Sequence, residues 1–347
     1  MKRDRLIKWK GIALALLCGG ILGISHNNPV QAESVSYTNP VGEMTDIGDP
    51  FVLKADGVYY MYATSEPGFG FRAWTSENMV DWEDGGVVLD HRDFEEKWAL
   101  YDFWAPEVFE YEGAYYMTYS ARAYNGSLRI AMAKADHPLG PFVDINSDLI
   151  QEQGSYIDGH VFQDETDGKL YLYYVKDNYE NIVDGQKVSH MYVQELNETL
   201  DEVVGESEFL FGPSQSWEGL EGDIVWNEGP FVLQHEARYY LMYSANFYGG
   251  PDYAVGYAVA DHPLGPFEKY EENPILASDL SLGISGPGHN SVVVGLDDET
   301  LYAVYHIHTN PDHPTGDRRM ALNRLYFEDD LLKIEGPTAA GEIEYGD

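Results

Sequence analysis

Residues 57–62 read GVYYMY, and versions of this tyrosine-rich stretch recur four more times along the chain. The other copies are GAYYMT at 113–118, GKLYLY at 168–173, ARYYLM at 237–242 and TLYAVY at 300–305. Each copy is short and aromatic and follows a turn signal such as Asp56-Gly57, which is typical of the second strand of a β-hairpin. Five hairpin repeats at intervals of roughly 55 to 70 residues predict five similar β-sheets.

A second repeat, the octapeptide ADHPLGPF, occurs at 135–142 and again at 260–267. Each copy follows an alternating, strand-like stretch, so we interpret it as the exit from the third strand of a repeat. The chain after residue 32 shows no helical periodicity of 3.6 residues. Short strands in repeats of roughly 40 to 70 residues predict an all-β, five-bladed β-propeller. A two-sheet sandwich is the alternative, but it would not explain five copies.

The first 32 residues have the layout of a secretory signal peptide: five basic residues in the first ten, an apolar run at 11–24, and a small-residue site ending at Ala32. An uncleaved anchor is the alternative, although the run is shorter than the ~20 residues that a membrane span needs. Lipid modification of Cys18 is disfavoured because Ala15-Leu16-Leu17 lacks a small residue before the cysteine. We therefore predict a secreted protein with a signal peptide at 1–32.

The chain is strongly acidic, with 59 acidic and 21 basic residues and a formal net charge of −38. Nucleic acid and, after signal cleavage, membrane surfaces are therefore disfavoured as partners, because both would add to the repulsion. No Pro/Ser-rich linker or low-complexity block divides the chain after the signal segment. We therefore predict one propeller domain at 33–347, stabilised by an ordinary hydrophobic core without disulfides.

Ionisable residues lie upstream of all five tyrosine-rich copies, at positions that look equivalent: Asp49, Glu107, Asp158, Glu228 and His289. In a propeller the innermost strands line the axis, so equivalent positions converge on one pocket. Any one of these residues alone is ordinary turn chemistry, but the set predicts a carboxylate cluster. Like charges in one pocket raise at least one pKa, and glycoside hydrolysis needs one protonated and one ionised carboxyl.

Aromatic side chains near these carboxylates are candidates for contact with a sugar ring. Phe51, two residues after Asp49, and Trp104, three residues before Glu107, are the two that we single out. Packing inside a sheet repeat is the alternative for both, since large aromatic residues dominate such cores.

Six motifs in order make the chain resemble glycoside hydrolase family 43 over essentially its whole length after the signal segment. They are GDPF at 48–51, WAP at 104–106, IDGHVF at 157–162, EGP at 228–230, GHNS at 288–291 and RRMAL at 318–322. The resemblance implies a five-bladed β-propeller, an inverting mechanism and hydrolysis of plant cell-wall polysaccharides or oligosaccharides. It departs from the family pattern at Gly159-His160, which bears on substrate choice more than on mechanism.

The resemblance also implies a role for each matching residue. Asp49 matches the general base that activates water, Asp158 the carboxylate that orients the acid and tunes its pKa, and Glu228 the general acid. Arg318 matches an arginine that contacts the substrate. His289 matches an axial histidine linked to a hydrated calcium or sodium ion, which the chemistry itself does not require.

The sugar that the enzyme releases is left open by the sequence. The family includes α-L-arabinofuranosidases, arabinanases and β-xylosidases; the lack of the extra sandwich module found in many β-xylosidases favours the arabinose-directed activities. A non-catalytic carbohydrate-binding propeller is the alternative from another class. A retaining, fructan-cleaving propeller is the enzymatic rival, but the Trp-Met-Asn-Asp and Glu-Cys-Pro runs typical of such proteins are absent.

Overall fold

A computed structural model describes residues 34–346, and the predicted signal peptide at 1–32 lies outside this range. The described chain is all-β, with 25 strands, numbered β1 to β25 in chain order, and three single-turn 3-10 helices. The 3-10 helices are His91–Asp93, Ser216–Glu218 and Leu280–Leu282. Within residues 34–346 no helix is long and apolar enough to cross a membrane.

Twenty of the strands form five four-stranded antiparallel sheets, which we name sheets I to V. Sheet I contains β2 (Gly48–Ala55), β3 (Val58–Thr64), β4 (Gly70–Ser76) and β5 (Glu83–Asp90). Sheet II contains β6 (Ala99–Tyr111), β7 (Ala114–Ala123), β8 (Leu128–Ala135) and β9 (Val143–Asn146). Sheet III contains β10 (Tyr156–Gln163), β11 (Leu170–Lys176), β14 (His190–Leu196) and β15 (Val203–Phe211).

Sheet IV contains β17 (Asn227–His235), β18 (Arg238–Ala245), β19 (Ala254–Ala260) and β20 (Glu268–Lys269). Sheet V contains β21 (Gly288–Val294), β22 (Leu301–His308), β23 (Arg318–Glu328) and β24 (Leu331–Ile334). Two small sheets complete the described fold. One pairs β1 (Ser34–Thr38) with β25 (Ala340–Glu344), and the other joins β12 (Ile182–Val183), β13 (Gln186–Val188) and β16 (Ile224–Val225).

The tyrosine-rich copies lie in the second strands of the five sheets, which confirms the prediction from their spacing. Their rings fill the interior: Tyr59, Tyr62, Tyr173, Tyr240 and Tyr305 are each fully buried. Complete burial of a large apolar side chain contributes roughly 1.5–3 kcal/mol relative to exposure. The repeat is therefore visible in the sequence because each sheet needs the same aromatic layer.

The octapeptides and turns also lie where the sequence predicts. The two octapeptides begin at the last residues of β8 and β19, the third strands of sheets II and IV. The turn from β2 to β3 has φ +49° at Asp56 and +79° at Gly57, which matches the type I′ hairpin turn favoured by an Asp-Gly pair.

Five apolar clusters occupy the spaces between consecutive sheets. Sheets I and II share one cluster, and further clusters join sheets II and III, III and IV, and IV and V. The fifth joins sheet V back to sheet I, where Val293 and Met320 pack with Val52 and Tyr59. Every sheet is therefore stabilised by both of its neighbours, including the first and the last.

The first strand of each sheet contains a β-bulge centred on a residue with positive φ, which we call the bulge residue. The five bulge residues are Asp49 (+53°), Ala105 (+48°), Asp158 (+57°), Gly229 (+59°) and His289 (+48°). A bulge bends its strand and re-aims the neighbouring side chains. The left-handed backbone therefore recurs in all five first strands, irrespective of the residue type.

Hydrogen bonds from these bulge residues link neighbouring sheets. The His289 amide of sheet V donates to Ser244 Oγ of sheet IV over 2.8 Å, and Ser244 is fully buried. The Asp49 amide of sheet I donates in the same way to His306 Nδ1 of sheet V over 3.2 Å. Buried backbone amides are almost always paired, because an unpaired one is costly.

We expect Ser244→Ala to destabilise the fold, because it leaves the buried His289 amide without an acceptor. The expected loss is about 1–3 kcal/mol in the free energy of unfolding, measured by urea denaturation. Ser207→Ala is the control, since its hydrogen bond to Glu152 is exposed; it should change that free energy by less than about 0.5 kcal/mol. Equal effects of the two changes would contradict the importance of these links between sheets.

Candidate active site

A cavity of about 260 Å³ opens at the bulges of the five first strands. Its lining includes Asp49, Asp158, Glu228, His289 and Arg318. The structure therefore brings all three predicted catalytic carboxylates into one pocket, although they come from sheets I, III and IV.

Asp49 is held as an anion by a ring of cationic and polar partners. Its Oδ1 accepts a hydrogen bond from Arg318 Nη1 over 2.8 Å, and its Oδ2 accepts one from the Thr64 hydroxyl over 2.6 Å. Burial raises its pKa, but Arg318, with His289, His306 and Thr64, outweighs that effect and holds the pKa below its ordinary value. An ionised carboxylate can accept a proton from water.

Arg318 reaches Asp49 because the chain leaves room for its guanidinium. A Cβ built on Gly48 would lie 2.1 Å from Arg318 Nη2, so any larger residue at position 48 would displace the arginine. The guanidinium also lies 4.6 Å from the centre of the Tyr248 ring. Glycine at the first position of the GDPF motif therefore leaves the space that the arginine side chain occupies.

Glu228 has the opposite protonation preference. Burial and the nearby carboxylate of Asp158 raise its pKa well above the ordinary value, and a hydrogen bond from the Tyr253 hydroxyl to Oε1 over 2.8 Å opposes the rise. Asp49 adds a smaller repulsion in the same direction as Asp158. A carboxyl with such a raised pKa stays protonated near neutral pH and can donate its proton.

Asp158 interacts electrostatically with both of the other carboxylates. Its side chain is buried, and its Oδ2 accepts a hydrogen bond from the Gly229 amide, next to Glu228, over 2.9 Å. Burial raises its pKa, and the His289 ring and the Gly229 amide oppose that rise while Asp49 adds to it. Asp158 is thus anchored to the backbone beside Glu228 and acts on the protonation of that residue.

We expect Tyr253→Phe to shift the alkaline limb of the pH dependence of kcat/KM upward. Tyr253 donates a hydrogen bond that stabilises the charged form of Glu228, so its removal raises the pKa of Glu228 further. The protonated acid then persists to higher pH. A hydrogen bond to a charged group is worth about 1.5–3 kcal/mol, so the expected shift is about one pH unit or more.

Tyr257→Phe is the matched control for this measurement. Tyr257 follows in β19, and its ring stacks on Tyr270 at a centroid distance of 4.8 Å instead of lining the pocket. Its variant should keep the wild-type pH dependence. A downward shift in Tyr253→Phe, or the same shift in both variants, would contradict the assigned effect on Glu228.

The predicted substrate-binding residues divide into two groups. Trp104, His289 and Arg318 line the pocket. Phe51 is not among the lining residues; it packs against the apolar cluster between sheets I and II and against the cluster between sheets IV and V, with its ring centre 6.3 Å from that of Phe231. Core packing, the alternative that the sequence left open, therefore describes Phe51.

The structure corrects the predicted equivalence of the five ionisable positions at Glu107. By strand register the bulge residue of β6 is Ala105, and Glu107 is the counterpart of Phe51, two residues further along. Its carboxylate contacts His160 Nδ1 over 2.6 Å, and His160 Nε2 accepts a hydrogen bond from the Val232 amide. Glu107 therefore links sheet II to His160 of sheet III, which in turn binds sheet IV, and three of the four predicted carboxylates line the pocket.

His289 is the residue that the sequence linked to a calcium or sodium ion. Its Nδ1 lies 3.3 Å from Asp49 Oδ1. Within residues 34–346 no three or more His, Cys, Asp or Glu side chains are grouped so that they could hold a metal ion. The side chains present do not form a protein ligand set, so the ion stays a prediction and no step below depends on it.

Several pocket residues were missed by the sequence analysis. Asp177, Asn178 and Tyr179 follow β11, while Trp226, Phe247 and Tyr248 lie before β17 and after β18. They form the pocket wall around the carboxylates. Trp226 directly precedes Asn227-Glu228, and this adjacency was the available signal; the loop residues follow no repeat and gave none.

One ionised and one protonated carboxyl facing one pocket is the arrangement on which acid–base glycosidases depend. The fold and the site thus define a glycoside-hydrolysing class of all-β proteins. The sequence matches the family described as Glycosyl hydrolases family 43 over residues 37–332. The chain belongs to glycosyl hydrolase family 43.

Individual relatives agree with this assignment. A crystal structure of a thermostable family-43 glycoside hydrolase is 53% identical with a TM-score of 0.86, covering 87% of this chain and 97% of that one. A crystal structure of an endo-1,4-β-xylanase from Bacteroides thetaiotaomicron is 30% identical with a TM-score of 0.73, covering 91% and 99%.

Two further relatives are similar to this chain in sequence. A β-D-galactofuranosidase of Aspergillus niger is 28% identical over 81% of this chain and 79% of its own length. An extracellular exo-α-(1→5)-L-arabinofuranosidase of Streptomyces avermitilis is 25% identical over 92% of this chain and 66% of its own length. The named activities of these relatives differ, so the family alone does not define the sugar.

Proposed function

We propose that this protein is a secreted, inverting glycoside hydrolase that releases arabinose or xylose residues from plant cell-wall polysaccharides or oligosaccharides. Asp49 is the general base that activates water, Glu228 is the general acid that protonates the leaving oxygen, and Asp158 sets the position and pKa of Glu228. The observation that carries this proposal is the opposite effect of the pocket on the pKa of Asp49 and Glu228.

In the proposed reaction, Asp49 takes a proton from a water molecule as the oxygen attacks the anomeric carbon. Glu228 gives its proton to the glycosidic oxygen as that bond breaks, so the leaving sugar departs as a neutral alcohol. Arg318 and Thr64 keep Asp49 ionised and oriented before attack. A single displacement of this kind inverts the anomeric carbon.

The proposed architecture around this site is a five-bladed β-propeller, with each four-stranded sheet as a blade. Three observations support it: five sheets of the same topology, an apolar cluster between every consecutive pair, and hydrogen bonds that join sheet V to sheet I. A closed ring would place the first strands at the axis, where their bulge residues surround one pocket.

We further propose that the chain is exported with cleavage of a signal peptide at 1–32, leaving a single catalytic domain at 33–347. The basic start and the short apolar run support this proposal. The name of the Streptomyces relative, an extracellular enzyme, agrees with it.

Arabinose-directed activity is the first candidate, and β-xylosidase activity is the second. The arabinofuranosidase of Streptomyces avermitilis supports the first, and the endo-1,4-β-xylanase structure supports an activity on xylose polymers. In either case the substrate meets the same carboxyl pair, so the choice depends on the pocket wall at Trp104, Trp226 and Tyr248.

Product analysis on arabinan, arabinoxylan and xylan, side by side, tests this proposal. Release of arabinose from the first two substrates would support the first candidate, and release of xylose or xylo-oligosaccharides from xylan the second. The Asp49→Asn variant, assayed in parallel, controls for contaminating activity. A folded wild-type protein that cleaves none of these polymers and no aryl arabinoside or xyloside would contradict the proposed function.

A further inference from the structure

Four of the five bulge residues donate their amide hydrogen to the same kind of partner. In each case the acceptor is a side chain in the second strand of the preceding sheet. The acceptor residue is the cross-strand partner of the residue that directly precedes the bulge residue of its own sheet. The four acceptors are Thr64 for Ala105, Ser120 for Asp158, Ser244 for His289 and His306 for Asp49. Each acceptor is buried.

Sheet III is the exception to this pattern. The corresponding second-strand residue is Val175, which pairs with Ile157 as Thr64 pairs with Gly48. Valine has no acceptor to offer to the next bulge residue, Gly229. The Gly229 amide donates instead to Asp158 Oδ2 over 2.9 Å. The one carboxylate anchored by a bulge amide therefore occurs where the usual side-chain acceptor is missing.

We propose that Val175 is a positioning residue: because it gives the Gly229 amide no side-chain acceptor, that amide is reserved for the carboxylate of Asp158. This inference rests on the proposed function, in which Asp158 holds and tunes Glu228. Gly229 directly follows Glu228, so the bond ties the backbone of the acid to Asp158.

Packing alone does not account for valine at position 175. Val175 is fully buried in the cluster between sheets III and IV, where an apolar residue is unremarkable. However, the equivalent sites in the other four sheets hold threonine, serine, serine and histidine, also buried. The position thus accepts polar side chains, and the only sheet that lacks one is the sheet that carries Asp158.

The surroundings of Asp158 make its anchor important. Its carboxylate faces Glu228 from β17, Asp49 from β2, His289 from β21 and Asp177 from the segment after β11. Asp49 and Asp177 repel the Asp158 carboxylate, so its position depends on the groups that bind it. The Gly229 amide is the hydrogen-bond donor that holds the carboxylate oxygen in place.

Val175→Thr tests the proposal, because threonine has nearly the shape of valine and places a hydroxyl where the other sheets have an acceptor. We expect the Gly229 amide to donate to the introduced hydroxyl in a crystal structure of this variant. We expect kcat on an unactivated arabino- or xylo-oligosaccharide to fall about tenfold with little change in KM, since a hydrogen bond to a charged group is lost.

Val175→Ala is the matched control. It removes apolar contacts at the same site but adds no acceptor, so it should lower the melting temperature and leave kcat close to wild type. The proposal is overturned if Val175→Thr keeps the bond between Gly229 and Asp158 and the wild-type kcat. It is also overturned if both variants lose kcat equally, because the effect would then come from packing alone.

The failure of the proposed function gives a different result. A wild-type protein without glycosidase activity would refute the function and leave only the structural part of this inference. In that case the crystal structure of Val175→Thr still shows whether the Gly229 amide changes its acceptor. A wild-type enzyme that is active, with a Val175→Thr variant of equal kcat, refutes the inference and not the function.

Discussion

Replacing Glu228 with glutamine should lower kcat on natural oligosaccharides by about 10²- to 10⁴-fold, the usual contribution of general acid catalysis. Glutamine keeps the size of the side chain and can still contact the Tyr253 hydroxyl, but its amide is too weak an acid to protonate the departing sugar oxygen. Aryl glycosides with acidic leaving groups should lose much less activity, because their leaving groups depart without protonation.

The ratio between these two losses is the informative quantity, measured as kcat for a disaccharide and for an activated aryl glycoside. Glu221→Gln is a suitable control, since Glu221 is exposed and lies ahead of the same strand; it should behave as wild type. Equal losses on both substrates, in a variant that unfolds at the wild-type temperature, would mean that Glu228 is not the acid.

Asp49→Asn should lower kcat by a similar factor of about 10²- to 10⁴-fold, but without regard to the leaving group. The change removes the base that activates water, and water attacks every substrate. The amide can still accept a hydrogen bond from Thr64, whose hydroxyl contacts Asp49 Oδ2. A folded Asn variant that retains wild-type kcat would contradict the role of Asp49.

The fold was predictable where one physical requirement repeats along the chain. Each sheet buries an aromatic layer on its second strand, as at Tyr62 and Tyr119. The tyrosine-rich stretch therefore recurs five times in the sequence. Asp-Gly turns, as at Asp56-Gly57, mark where the hairpins reverse. These signals are local in the sequence, so they can be read without knowledge of the tertiary structure.

Strand register was less predictable, because bulges and loop lengths shift it by one or two residues. The fifth tyrosine-rich copy illustrates this: Val304 pairs with Ser291 as Tyr62 pairs with Phe51, so Val304 and not Tyr305 is the counterpart of Tyr62. A slip of one residue exchanges the two faces of a strand. Alignment by residue type alone therefore placed the fifth copy one residue too far along the chain.

The site was predictable in its carboxylates and less so in its geometry. Asp49, Asp158 and Glu228 meet as expected, yet the equivalent bulge positions also hold Ala105 and Gly229. Glu228 lies one residue before the bulge residue of its strand. Residue spacing in the sequence cannot distinguish these two positions. Partners such as Tyr253 and Tyr248 were missed because they come from irregular segments that belong to no repeat.

The central claim is that Asp49 activates water for a single displacement while Glu228 protonates the leaving group. Proton NMR of the first-formed product, recorded before mutarotation on a chromogenic arabinoside or xyloside, tests it most directly. We predict a product with the anomeric configuration opposite to that of the substrate, and no covalent sugar–enzyme species during turnover. A first product with retained configuration, or a glycosyl group trapped on Asp49, would contradict the claim.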